Sequence, residues 1–189
     1  MFDDSIQLLL DEAEEHMQKS LDHLRSEFNT IRAGRATPAM LDTVRVEYYG
    51  SMMPLNQVAS VAAPQPDLLV VQPWDRGALG PIEKAIIAAN LGMNPSNDGQ
   101  LIRIPIPPPS EERRRELAKS ARSKSEDAKI AVRNVRRNTK DQIKAVQQEQ
   151  HLSEDMRFEA EEHLQKLTDS YIAKIDQMLA RKEEEIMEV

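Results

Sequence analysis

Apolar residues recur along three stretches of this chain in alternating steps of mostly three and four, the spacing that lines one face of an α-helix. The first stretch runs Ile6, Leu10, Ala13, Met17, Leu21, Leu24, Phe28 and Ile31, with Asp4 or Ser5 placed to cap it. The second runs Leu117, Ala121, Ala128, Val132, Val135, Thr139, Ile143 and Val146, inside a span from Ser110 to Gln150 that contains neither Gly nor Pro. Ser110 is positioned as its N-cap, and Glu111 and Glu112 set negative charge beside the free N–H groups of the first turn. The third opens on Ser153, Glu154 and Asp155 and continues as Ala160, Leu164, Leu167, Tyr171, Ile175 and Met178. A period near 3.5 keeps a seam turned toward its neighbours at a shallow crossing angle, so the three helices predict a bundle. The short connection from Gln150 to Ser153 makes the second and third antiparallel.

Between Ile31 and Ser110 the pattern shifts to short β-branched runs broken by Pro and Gly, the signature of a separate domain. Thr43 to Tyr49 alternates as a strand and turns at Gly50. Val58 to Ala62 and Asp67 to Gln72 read as further strands, and Leu101 to Ile106 as a last one whose prolines suit an edge. Pro81 opens a short helix with Ile82, Ala85, Ile86 and Ala89 on one face, ended by Leu91-Gly92 with Gly92 past the cap. The predicted fold is α+β: an elongated three-helix bundle (1–31 and 110–189) with a small hinged β/α/β domain (36–105) inserted between helices one and two. The chain crosses between them twice, at 32–35 and 105–109. Gly34 lends the first joint freedom, and Pro105, Pro107, Pro108 and Pro109 stiffen the second; these are two ordinary linkers or a hinge of limited axis.

Charge sharpens the picture of the central helix. Residues 111–144 hold 12 Lys+Arg against 6 Asp+Glu, a net of +6 in a chain of net −7, which leaves −13 on the rest. Arg115, Lys119, Arg122, Lys129, Arg133, Arg136, Arg137, Lys140 and Lys144 project onto an arc roughly opposite the apolar seam. A basic run on a surface helix is commonly a solvated face, but an Arg-rich stripe several turns long in an acidic protein is how a helix that lies along phosphates looks. Arg133, Arg136 and Arg137 stand at i, i+3 and i+4, so three guanidinium forks can reach one patch of phosphate oxygens. No aromatic interleaves them, which points to backbone and helix shape rather than base stacking. Arg32 and Arg35 flank Gly34 at the joint and suit phosphate contact as well.

Composition removes other function classes. One Trp, three Tyr and three Phe leave the cores to aliphatic side chains and Met, and zero Cys removes disulfides and thiolate metal sites, in keeping with a reducing cytoplasm. No leader and no apolar run of membrane-spanning length is present, so a cytoplasmic protein that acts as a monomer away from membranes is expected. His16, His23, His151 and His163 have no repeating metal-ligand spacing, and Gly77-Ala78-Leu79-Gly80 lacks the Lys of a nucleotide loop. No metal, cofactor or catalytic residue is expected, so any nucleotide belongs to a partner.

Six segments resemble ribosome recycling factors. They are Ile31-Arg32-Ala33-Gly34-Arg35-Ala36-Thr37-Pro38, Val46-Glu47-Tyr48-Tyr49-Gly50, Glu83-Lys84-Ala85-Ile86, Leu91-Gly92-Met93-Asn94-Pro95, Pro107-Pro108-Pro109-Ser110-Glu111-Glu112-Arg113-Arg114 and Val132-Arg133-Asn134-Val135-Arg136-Arg137. Each is weak alone; six in order at compatible spacing cover essentially the whole chain. The resemblance implies a three-helix bundle with a hinged β/α/β domain, shaped broadly like a transfer RNA. It also implies binding to the large-subunit RNA of the post-termination ribosome and, with elongation factor G and its GTP hydrolysis, separation of the subunits to release messenger and transfer RNA. The family's key arginine falls on Arg136, with Arg133 beside it. The family often has Ser where Thr37 stands here. A second reading, open on the residues alone, is a helical adaptor that offers the basic stripe to an acidic protein.

Overall fold

The computed structural model describes residues 1–31 and 35–188, and the chain divides into two compact units, Met1–Ala33 with Glu111–Val189, and Gly34–Ser110. The first unit is built from three helices: α1 (Asp4–Thr30), α4 (Glu111–Glu149) and α5 (Glu154–Met187). The predicted seams form its core. Ile6, Leu10, Met17 and Leu24 of α1 pack with Leu117, Ala121, Val132 and Ile143 of α4 and with Ala160, Leu164, Tyr171 and Ile175 of α5, all buried. Val135, Val146, Leu167 and Met178 lie at the margins of this core, half-buried.

Cross-helix pairs fix the directions. Gln150 Nε2 donates to Ser5 Oγ at 3.0 Å and Lys124 Nζ stands 3.6 Å from Glu27, so α4 runs antiparallel to α1. Lys129 meets Asp176 and Arg122 meets Glu183, so α5 runs antiparallel to α4, while the Tyr171 hydroxyl donates to Gln18 Oε1 and α5 runs alongside α1. The reversal between α4 and α5 uses no glycine. His151 takes the left-handed conformation (φ 52) and the Leu152 N–H donates to Gln147 O at 3.0 Å, closing α4 in the manner of a Schellman motif. Ser153 Oγ then accepts from the Met156 N–H, capping α5 as expected. At the start of α1 the cap is Asp3, whose Oδ1 accepts from the Ser5 N–H at 2.9 Å, rather than Asp4 or Ser5; both of those already lie within the first turn.

The second unit holds two sheets. A hairpin pairs β1 (Arg45–Tyr48) with β2 (Ser51–Pro54). A four-stranded antiparallel sheet follows the order β3-β4-β6-β5, with β3 Ala59–Gln65, β4 Leu68–Pro73, β5 Ser96–Asn97 and β6 Ile102–Pro105. A helical turn, α2 (Leu55–Val58), links hairpin to sheet, and α3 (Leu79–Ala88) packs its Ile82 and Ile86 into a core with Val44, Val46, Leu69, Val71, Ile102 and Ile104. Sequence reading missed β2, because Ser51-Met52-Met53-Pro54 has no β-branched residue and little alternation. The end of α3 also differs from expectation. Asn90 (φ 51) occupies the left-handed position beyond the Ala89 cap, two residues before Gly92, since a short amide side chain tolerates that conformation.

The expected second joint overlaps the small unit at its start. Pro105 closes β6 opposite Leu68, and the Ile106 N–H donates to Asp67 O at 2.7 Å with Ile106 buried in the small core, so the second joint begins at Pro107. The Ala36 N–H likewise donates to Pro66 O at 2.7 Å. Arg32 and Gly34 lie outside the described residues.

Candidate nucleic-acid interface

The predicted cationic stripe lies on α4, where 39 residues without Gly or Pro place each side chain at a fixed angle. Part of it does not stand opposite the seam: three of its members reach residues of α5 on the flank of α4 that borders that helix. Lys129, with its side chain only 15% exposed, reaches Asp176 at 2.6 Å and Glu126 at 3.5 Å. The bond to Asp176 holds the Lys129 ammonium pKa above its ordinary value, against the opposing pull of burial. Arg122 pairs with Glu183 at 3.0 Å, and Arg136 donates to Gln165 Oε1 at 3.1 Å.

These contacts divide the stripe. Lys129 is a strut between α4 and α5, and its charge is largely spent on Asp176. Arg122 is exposed yet neutralised by a neighbour. Arg136 is half-buried and held by a neutral amide, so its charge is uncompensated while its fork is oriented. Arg133, Arg137, Lys140 and Lys144 are exposed, with no carboxylate in ion-pair range among the described residues. They form the open part of the stripe, spanning about three turns with Arg136 at its edge. Arg35 belongs to the other unit.

Ile130 escaped the sequence reading. It is 52% exposed, one turn before Arg133 and Asn134, and sits among the cations as an uncovered aliphatic group. Its signal was available: it falls off the seam that Ala128 and Val132 define. Among the described residues no group of His, Asp and Glu is arranged to hold a metal ion, and no helix is long and apolar enough to cross a membrane.

The ribosome recycling factor family matches residues 24–187. The ribosome-recycling factor of Salinibacter ruber is 56% identical over 189 residues, 100% of both chains, and that of Carboxydothermus hydrogenoformans is 52% identical over 184 residues, 97% of this chain and all of the other. A solution structure of a ribosome recycling factor superposes with a TM-score of 0.69 at 39% identity, covering 100% of both chains. A Thermus thermophilus recycling factor, described with Escherichia coli elongation factor G bound to the post-termination complex, gives 0.60 at 48% identity over 97% of this chain. With the bundle, the inserted α+β unit and the full-length match in agreement, the chain belongs to the ribosome recycling factor family.

Proposed function

We infer that the open stripe of α4 lies along phosphates of large-subunit ribosomal RNA and docks this protein on the post-termination ribosome. The observation that carries this reading is the run Arg133, Arg137, Lys140 and Lys144, exposed and without acidic partners on one rigid helix of a protein whose net charge is −7. Leaving four cations unpaired on a surface rich in carboxylates has no use in folding; it keeps forks and ammonium groups ready for phosphate. Arg136, oriented by Gln165, adds a fork of fixed direction. Ile130 offers an apolar contact to a ribose or base edge. Lys129 and Arg122 act indirectly, by holding α5 against α4 and so setting the direction of the stripe.

Once docked, the protein works with elongation factor G, and GTP hydrolysis by that partner drives separation of the subunits. The small unit transmits the movement through the two covalent joints, where Gly34 and Pro107, Pro108 and Pro109 form a hinge of limited axis. The test is sedimentation of the purified protein with purified ribosomes across a salt series. Co-migration with an affinity that falls steeply in salt is expected, because each phosphate contact releases counterions. Absent co-migration, or an affinity indifferent to salt, would overturn the reading.

A further inference from the structure

The three cations of α4 that reach across to α5 stand in steps of seven: Arg122, Lys129 and Arg136. A step of seven is about two helical turns, so the three project along one flank. Because the helices are antiparallel, their partners on α5 step back by seven in the same way. Arg122 meets Glu183 at 3.0 Å, and Lys129 meets Asp176 at 2.6 Å. The next step of seven along α5 assigns Arg136 to Asp169, a third carboxylate.

That third rung is not made. Among the described residues no ion pair joins Arg136 to Asp169, and Gln165, one turn before Asp169, bridges them instead. Its Nε2 donates to Asp169 Oδ1 at 2.9 Å, and its Oε1 accepts from Arg136 Nη1 at 3.1 Å. A carboxylate only accepts and a guanidinium only donates, so Asp169 decides which end of the amide is turned to Arg136. The bridge gives the Arg136 fork a direction and occupies Asp169, while no carboxylate touches the guanidinium.

The packing of the bundle does not call for this arrangement. Gln165 and Asp169 are both exposed, and a direct pair of Arg136 with Asp169 would tie α5 to α4 as the two neighbouring rungs do. What the bridge preserves is a positive charge beside Arg133 and Arg137. We propose that Gln165 is a positioning residue that keeps Arg136 open to phosphate by holding Asp169 off it. This rests on the docking reading given above.

The test is a pair of substitutions in the full chain, read by sedimentation with purified ribosomes across a salt series. Gln165→Ala releases Asp169 to complete the third rung; affinity is expected to fall about fivefold and its salt dependence to flatten by about one counterion, at an unchanged melting temperature. Asp169→Asn alone, whose amide oxygen still accepts from Gln165, is expected to stay within about twofold of the unaltered chain. Adding Asp169→Asn to Gln165→Ala is expected to bring affinity and salt dependence back to within about twofold, a rescue that loss of helix packing would not show. No loss in Gln165→Ala, or a loss that Asp169→Asn fails to restore, overturns the proposal. In the free protein, the guanidinium nitrogen resonance of Arg136, identified by its absence from Arg136→Lys, is expected to shift on Asp169→Asn in the Gln165→Ala background and to stay in place in the unaltered one. An equal response in both backgrounds overturns the proposal. Should the unaltered chain fail to co-migrate with ribosomes, the docking reading falls, and this resonance alone decides whether Gln165 holds Asp169 off Arg136.

Discussion

The two units present opposite kinds of surface. The bundle, more than half of the chain, packs most of its apolar residues along three seams, leaves Leu8, Ile130, Phe158 and Met187 exposed, and shows solvent a dense charge pattern with cations along α4. The small unit has few charges and leaves Tyr49, Met52, Trp74, Ile87 and Leu91 exposed. Long helices with a 3.5-residue seam bury most of what is apolar, so much of their outer faces is free to carry charge. A short domain built from two- to seven-residue strands cannot bury everything on both faces of each element, and its remaining apolar surface is available for contact. One unit is thereby suited to long, salt-sensitive contact with phosphate, the other to compact apolar contact.

The sharpest way to break this comparison is to damage one core at a time. Ile143→Ala in the bundle and Ile104→Ala in the small unit each empty a fully buried site, and each should cost about 2–5 kcal/mol. Chemical denaturation should show the loss confined to the unit that carries the substitution; loss spread equally over both would mean that the chain folds as one body. Next in size, Arg133→Ala with Arg137→Ala should lower ribosome affinity about tenfold and flatten its salt dependence by about two counterions, while stability moves by only about 0.5 kcal/mol. A large fall in melting temperature with affinity intact would return these arginines to the structural side.

A smaller effect lies inside the bundle. Ser125 is fully buried on α4 and its hydroxyl has no hydrogen-bond partner, so Ser125→Ala should raise stability by about 1 kcal/mol in equilibrium unfolding. A decrease would show that the hydroxyl is satisfied by a backbone carbonyl or a water. The smallest effect is expected from acid. The Asp98 carboxyl is held down at about 2 by the Leu101 N–H, then by Arg103 and the Gln100 N–H. A carboxylate depressed in the folded state contributes stability that is fully present above its unfolded value of about 4 and is lost as pH falls through the folded one. The small unit should therefore weaken between about pH 4 and 2, and Asp98→Asn should remove that part of the pH dependence.

The helices and their inner faces were legible because a seam needs only one residue type at one spacing. Ile6 through Phe28 could be assigned without knowing what they touch. The roles of Lys129 and Arg122 were not legible. Whether a cation on α4 is open or spent depends on which residue of α5 comes alongside, and that register is set by His151 in a left-handed turn that local sequence does not announce. Asp176 lies 47 positions from Lys129, and nothing near either residue names the other. The cap of α1 was ambiguous for a simpler reason: Asp3, Asp4 and Ser5 are three competent acceptors in a row. In the small unit, strand Leu68–Pro73 declared itself by its β-branched run, whereas Ser51–Pro54 pairs only because Gly50 turns it back onto β1.

Trp74 gives this protein an optical asymmetry. It is the sole tryptophan, it belongs to the small unit, and it is 67% exposed, whereas the bundle's far-ultraviolet ellipticity comes from three helices that contain none. Fluorescence excited selectively at indole therefore reads one unit and circular dichroism at helical wavelengths reads chiefly the other. The native chain is its own two-colour instrument, able to show without labels whether both units melt together and whether a ligand covers the indole.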